Sequence, residues 1–169
     1  MTTEPIITLV ESLTPEIELG LSEMLISVVN DGASIGFLPP LDKAEAVDYW
    51  RSVLGPGVLL WIAREGDTVT GTIQLQLARK ANALHRAEIA KLMVHPDHRR
   101  KGIAGRLMDT AEAAAAAEDR ELLTLDTREG DPSNLLYQSR GFIEAGRIPY
   151  FARSGNGELH TTVLYYKKQ

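Results

Sequence analysis

Residues 87–108 read AEIAKLMVHPDHRRKGIAGRLM, and this one run contains a strand, a basic turn and a helix start in succession. AEIAKLMV (87–94) is a strand pattern, and from Gly102 to about Glu118 the chain is alanine-rich and helix-favouring. A helix that begins near Gly102 leaves its first amides without partners, and the glycines let another molecule approach the backbone closely. The helix dipole adds roughly half a positive charge at that end, to which Arg99, Arg100 and Lys101 add full ones. Basic side chains at a helix N-terminus oppose the dipole, so the alternative, a merely solvated turn, is an unfavourable arrangement. The residues Arg99, Arg100, Lys101, Gly102, Ile103, Ala104 and Gly105 therefore form a candidate cradle for a diphosphate. Neither standard nucleotide loop is present: there is no G-x-x-x-x-G-K-[ST] and no G-x-G-x-x-G after a strand.

Working outward from this run, the remaining elements follow from local patterns. IITLV (6–10) is a short β-branched strand, and Thr14-Pro15-Glu16 caps a helix running to about residue 30. GASIGFLPP (32–40) holds no regular structure, and KAEAVDYWRSVL is a second amphipathic helix, closed by Gly55-Pro56-Gly57. VLLWIARE (58–65) and VTGTIQLQLA (69–78) read as a hairpin around Gly66-Asp67. Downstream, ELLTLDT (121–127) is a buried strand, and Asp131-Pro132-Ser133 opens a short helix through Tyr137. FIEAGRIPYF and LHTTVLYYK are two further strands around Ser154-Gly155-Asn156-Gly157. The order is β-α-α-β-β-β-α-β-α-β-β. This predicts an α/β (α+β) chain, one domain over residues 1–169, with a mixed, mostly antiparallel twisted sheet and about four helices. No repeat or linker divides it.

Composition bounds the chemistry. The chain has 169 residues with 44% hydrophobic and 24% charged residues, enough for one core. Its net charge of -5 argues against broad nucleic-acid binding while leaving room for a local anion site, so the phosphate partner is expected to be small. The absence of cysteine removes disulfides, thiolate metal sites and a thiol nucleophile, and fits a reducing compartment. No signal-like N-terminus and no run of roughly 18 apolar residues is present. The expectation is a soluble cytoplasmic protein with no membrane partner.

VHPDHRRKGIAGRLM resembles the acyl-CoA loop of the Gcn5-related N-acetyltransferase (GNAT) family, whose pattern of Gln or Arg, two residues, Gly, one residue, Gly or Ala falls on Arg99, Gly102 and Ala104. Tyr137-Gln-Ser-Arg-Gly141-Phe142 resembles the same family's Tyr-x-x-x-Gly-Phe, and the element order agrees with that fold. The likeness covers about residues 58 to 150. The C-terminal run IPYFARSGNGELHTTVLYYKK is similar to acetyltransferases of the tabtoxin-resistance type. The resemblance implies acetyl-CoA as cosubstrate and no metal. It also implies that the strand backbone at Leu92, Met93 and Val94 pairs with pantetheine, the neighbouring strands splaying to admit it. Many members carry an asparagine seven residues before the tyrosine. Gly130 stands there in this chain, with Asp131 and Asn134 nearby out of register, and Asn134 is the candidate for the cofactor contact.

Acetyl transfer to an amine requires a neutral amine, a polarised carbonyl and a proton for the departing thiolate. Glu88, on the strand leading into the cradle, is the candidate base. Strict alternation puts Glu88, Ala90, Leu92 and Val94 on one face and Ile89, Lys91 and Met93 on the other, so apolar neighbours would raise its pKa. Its position also resembles that of the catalytic glutamate of Gcn5-type enzymes. A strand-end glutamate facing water is the other reading. An N–H near Met93 or Val94 is the candidate for polarising the thioester oxygen. Tyr137 is the candidate general acid, against a helix tyrosine packed on Phe142.

His95 and His98 are three apart with no accompanying carboxylate cluster, so no metal is expected. His85 and His160 either line the acceptor pocket or lie on loops. Trp50, Trp61, Tyr150, Phe151, Tyr165 and Tyr166 read as core or dimer contacts, with Tyr150 and Phe151, in a loop after Pro149, able to wall the acceptor site. The leading expectation is direct attack by a small-molecule amine in a ternary complex, the acceptor being amino-acid-like, a toxin or an antibiotic. The alternatives are a protein lysine or N-terminus as acceptor, and a non-catalytic acyl-CoA-binding module. Acceptor specificity is expected in residues 20–45 and 145–160. The family resemblance also implies a homodimer through the terminal strands.

Overall fold

The computed structural model describes residues 4–169. Its elements are β1 (Ile6–Leu9), α1 (Pro15–Asn30), α2 (Lys43–Val53), β2 (Val58–Glu65), β3 (Thr68–Leu77), β4 (Arg86–Val94), α3 (Ile103–Ala117), β5 (Leu122–Arg128), α4 (Ser133–Ser139), β6 (Ile143–Arg153) and β7 (Leu159–Lys168), with a single 3-10 turn at Pro96–His98. Apart from that turn, the order is the expected one. The helix starts are set locally: Thr14 Oγ1 accepts from the Ile17 amide at 3.3 Å with Pro15 in the first turn, and Asp42 Oδ1 accepts from the Glu45 amide at 2.8 Å.

The strands form one sheet in the order β1-β2-β3-β4-β5-β7-β6. Every neighbouring pair is antiparallel except β4–β5. A parallel pair needs a crossover, and α3 supplies it. Period-2 alternation divides the apolar residues between two helical layers. On β2, Trp61 and Ala63 pack with Leu107, Met108 and Ala111 of α3, whereas Leu60 and Ile62 pack with Leu21, Leu25 and Trp50 of α1 and α2. A Cβ on Gly71 of β3 would stand 2.9 Å from Ile103 Cγ2 and 3.0 Å from Leu107 Cδ1, so glycine there lets α3 seat closely on the sheet. Among the described residues no helix is long and apolar enough to cross a membrane.

Two expectations about strand regularity fail. Along β4, Thr72 pairs with Met93 but Gln74 pairs with Ala90, so Ile73 alone stands opposite Lys91 and Leu92. Lys91 takes a left-handed φ of 52° at this bulge. The extra residue exchanges the faces: Ala87 and Ile89 pack on the α3 side and so do Leu92 and Val94, while Met93 joins the α1 side. Glu88 therefore does not share a face with Leu92 and Val94. The second departure is in β6, where Ile148 pairs with Thr162 and Ala152 with His160, so Pro149, Tyr150 and Phe151 all face Thr161. Tyr150 and Phe151 thus sit in a bulged strand rather than a loop, with Tyr150 at φ 58°. Pro149 donates no ladder hydrogen bond, which suits an edge strand.

Candidate active site

β4 and β5 pair only at Arg86–Leu122, Ala87–Leu123 and Glu88–Thr124. Beyond Glu88 the two strands part, while β5 continues along β7 as far as Arg128. β4 runs on to Val94 with its backbone unpaired on the β5 side, and two cavities meet in the opening. The short β4–β5 ladder is the structural origin of the site.

The larger cavity, of about 630 Å³, lies over the start of α3 and is lined by Leu92, Met93, Val94, Arg99, Arg100 and Gly102–Gly105. Gly102 holds φ 76° as the N-cap and offers no side-chain cap. The first helical bond is Arg106 N–H to Gly102 O at 3.2 Å, so the Ile103, Ala104 and Gly105 amides have no partner within the helix. A Cβ at Gly105 would meet nothing within 4 Å. Uncapped amides, the dipole and two arginines suit a diphosphate.

Not every expected residue lies here. Lys101 turns away to Glu65 at 3.4 Å, which also meets His98 Nδ1 at 3.3 Å, and it lines neither cavity. Asn134 also lines neither. Its amide donates to the Arg128 and Asp131 carbonyls at 2.9 and 2.8 Å and accepts from the Tyr165 hydroxyl at 2.8 Å, bracing the turn before α4.

The second cavity, of about 510 Å³, is lined by Ala33–Gly36, Gln76, Glu88–Leu92, Asp126, Tyr137, Phe151 and His160–Thr162, with Arg128, Asp131 and Ser133 on the side shared with the first. Gln76 and Glu88 are directly paired across β3 and β4, so they share the floor. Burial, and then the negative charge of Asp126, push the Glu88 carboxyl above its usual range, with Lys91 and Arg86 opposing. Burial holds Lys91 below the usual ammonium range against the pull of Asp126 and Glu88.

Tyr137 lines both cavities. Its ring packs at 5.9 Å from Phe142 and 6.1 Å from Tyr165, so the packing role and exposure to the site coexist in one side chain. Burial and then Asp126 push its hydroxyl up to about 12. No side-chain hydrogen bond among the described residues acts on that hydroxyl, and the residue borders both cavities.

His160 and Phe151 join the smaller cavity, whereas Tyr150 is exposed and Trp50, Trp61 and Tyr165 are core residues. His85 lies outside both cavities. His95 and His98 stack edge to face at 5.4 Å, and no group of three or more His, Asp or Glu side chains converges among the described residues.

Two site residues escaped the sequence reading. Asp126 is held by the Thr162 hydroxyl, which donates to Oδ2 at 2.9 Å, and it faces the cavity two residues beyond the last β4–β5 pair. Arg128 donates to Asp131 Oδ1 at 3.0 Å, to Ser154 Oγ at 3.1 Å and to the Gly32 carbonyl at 3.0 Å. It binds the loop after α1 to the β6–β7 hairpin across the site. The only local signal was that Asp126 and Arg128 stand at alternate positions near the end of β5. Which face they take depends on register.

Splayed strands, an uncapped glycine-rich helix start and a tyrosine shared by both cavities are the features around which this site is built. Residues 25–142 match the model of the acetyltransferase (GNAT) family, and the chain belongs to that family. A curated relative, an uncharacterized N-acetyltransferase in the hisH–hisA intergenic region of Azospirillum brasilense, is 31% identical over 104 residues, 60% of this chain. The match spans 62% of that relative's length, under two thirds. The structure of a ribosomal-protein-alanine N-acetyltransferase from Brucella melitensis superposes with a TM-score of 0.80 at 17% identity, covering 97% of this chain and 99% of that one. An aminoglycoside 6'-N-acetyltransferase complexed with coenzyme A gives 0.77 at 16% identity, covering 96% of each chain. These likenesses establish the shared fold.

Proposed function

We propose that this chain is an acetyl-CoA-dependent N-acetyltransferase acting on a primary amine of a small molecule in the cytoplasm. The observation that carries the reading is the meeting, between β4 and β5, of an anion cradle with a cavity holding Glu88 and Tyr137. Acetyl-CoA, when bound, supplies an acyl thioester. Arg99, Arg100 and the amides of Ile103–Gly105 would hold its diphosphate, and Leu92–Val94 would hold the pantetheine along the unpaired edge of β4.

An alkyl amine with a pKa near 10.4 arrives mostly protonated. Glu88, raised by burial and by Asp126, accepts a proton from it. As the N–C bond forms and the C–S bond breaks, an amide near Met93 or Val94 would donate to the carbonyl oxygen, Tyr137 would give its proton to the departing sulfur, and the second proton lost by the nitrogen would return through water to the Tyr137 oxygen. The chain has no cysteine to carry an acyl group, which favours direct attack.

A cavity of about 510 Å³, closed on two sides by Ala33–Gly36 and the β6–β7 hairpin, suits a small acceptor better than a protein tail. A homodimer through the terminal strands belongs to the same reading. β6 is the sheet edge, with Ile143, Ile148, Tyr150 and Phe151 exposed, and sedimentation tests the pairing.

The test of activity is thiol release from acetyl-CoA with a panel of amines. Amine-dependent release that falls in Glu88→Gln and Tyr137→Phe is the expected result. Saturable coenzyme A binding with no turnover for any amine would instead identify a binding module.

A further inference from the structure

Building on the acetyl-transfer reading, we propose that the acceptor carries a carboxylate beside its amine, and that Lys91 is the specificity-determining residue that recognises it. The substrate class is thus a zwitterion of the α-amino-acid kind rather than a simple cationic amine.

The β4 bulge decides where Lys91 points. Uninterrupted alternation would send its side chain with Ile89 toward the α3 core, where an ammonium has no partner. At φ 52° the chain accepts a strained left-handed lysine, and the side chain reaches the smaller cavity instead. There Nζ donates to the Ile35 carbonyl at 2.7 Å and lies 6.0 Å from the centre of the Tyr49 ring. A Cβ on Gly36 would come within 3.4 Å of it, so glycine at 36 keeps this wall open around the ammonium.

The charges around the cavity leave one cation and two carboxylates uncommitted. Arg128 is occupied by Asp131, Ser154 and Gly32. Glu88, Asp126 and Lys91 form no ion pair, with one another or with any other described residue. An ammonium has three donors, and Lys91 uses one on Ile35. A singly cationic acceptor would match Glu88 and Asp126 but would leave Lys91 facing a like charge. A zwitterion satisfies both signs at once.

Glu88 and Lys91 both line the smaller cavity from the same strand, so one ligand with a cation and an anion close together faces both. Ile35, Leu92 and Phe151 supply apolar surface for the remaining side chain.

The experiment compares free amino acids with their carboxamides, methionine with methioninamide and phenylalanine with phenylalaninamide, in acetyl-CoA-dependent thiol release by wild type, Lys91→Met and Lys91→Arg. Wild type is expected to favour each acid over its amide by about tenfold or more in kcat/KM, the scale on which a site built for a polar group rejects an analogue lacking it. Lys91→Met collapses that ratio to about one through a higher KM for the acid, and Lys91→Arg retains the preference because the cation survives. Equal use of acid and amide by wild type overturns the proposal. So does a Lys91→Met effect that is the same on both, which would make Lys91 only a tether for Ile35.

Calorimetric titration of the same compounds into the coenzyme A complex separates the two readings. Saturable binding of the acids, lost in Lys91→Met, without acetylation of any amine would leave the carboxylate subsite standing and remove acetyl transfer. Turnover of amines with no preference for a carboxylate would do the reverse.

Discussion

The Arg99 guanidinium lies 3.0 Å from the Asp31 carboxylate, so the basic turn before α3 is tied to the residue that ends α1. Both side chains are about half exposed, and such a pair adds little to stability. Both also line the larger cavity, so Asp31 draws on charge that a diphosphate would otherwise receive. Asp31→Asn is therefore expected to tighten coenzyme A binding about two- to fivefold at low salt, and Arg99→Ala to weaken it about tenfold with a shallower salt dependence. Titration calorimetry at low and high salt checks both.

The role proposed for Glu88 requires its ionised form, and burial together with Asp126 raises its pKa. Activity should fall as pH drops through that raised value, at a higher pH than an ordinary glutamate would give. Asp126→Asn removes a raising charge and moves this acid limb to lower pH. Glu88→Gln lowers kcat/KM by about 10²- to 10⁴-fold, the usual contribution of a positioned base. Stability follows the linkage sign: a folded-state pKa above the unfolded one gives stabilisation that is present at low pH and lost as pH rises through the folded value. Glu88→Gln should accordingly raise Tm above wild type on the alkaline side of that value, with the gap closing on the acid side. Melting curves across pH decide it.

Tyr137 keeps its proton throughout the working range because its hydroxyl is pushed up to about 12. An alkaline limb found well below that value belongs to another group. Tyr137→Phe removes a hydroxyl on which no side-chain hydrogen bond among the described residues acts and leaves the ring packing on Phe142 and Tyr165. The expected outcome is an unchanged or slightly higher Tm with kcat reduced by about 10²-fold or more. Parallel loss of Tm and kcat would show that the tyrosine acts through packing alone.

Gly105 and Gly71 make opposite cases for the same substitution. A Cβ at Gly105 meets open space, so Gly105→Ala should raise helix stability by up to about 1 kcal/mol while narrowing the cradle and weakening coenzyme A binding. At Gly71 a Cβ would press on Ile103, Leu107 and the Met93 carbonyl, all within 3.0 Å. Gly71→Ala is expected to cost about 1–3 kcal/mol by overpacking α3 against β3. Thermal melts and coenzyme A titration separate the two.

Local patterns alone determine the succession of strands and helices in this protein, from the Thr14 cap to the glycine-rich start of α3. Helix and strand periods, caps and glycine or proline stops act within a few residues, as did the pattern that made Arg99–Gly105 a candidate cradle, whereas Tyr137 became a candidate through its resemblance to the family's Tyr-x-x-x-Gly-Phe run. Tertiary structure decided what those residues meet. The extra residue at Lys91 exchanged the faces of β4, Lys101 was taken by Glu65, and Asn134 by the turn before α4. Asp126 and Arg128 entered the site because β5 leaves β4 after Glu88 to follow β7, and the loop at Ala33–Gly36 closed over them. Register, bulges and pairings between residues far apart in the chain arise from the packing of the whole sheet, and no window of neighbouring residues contains them.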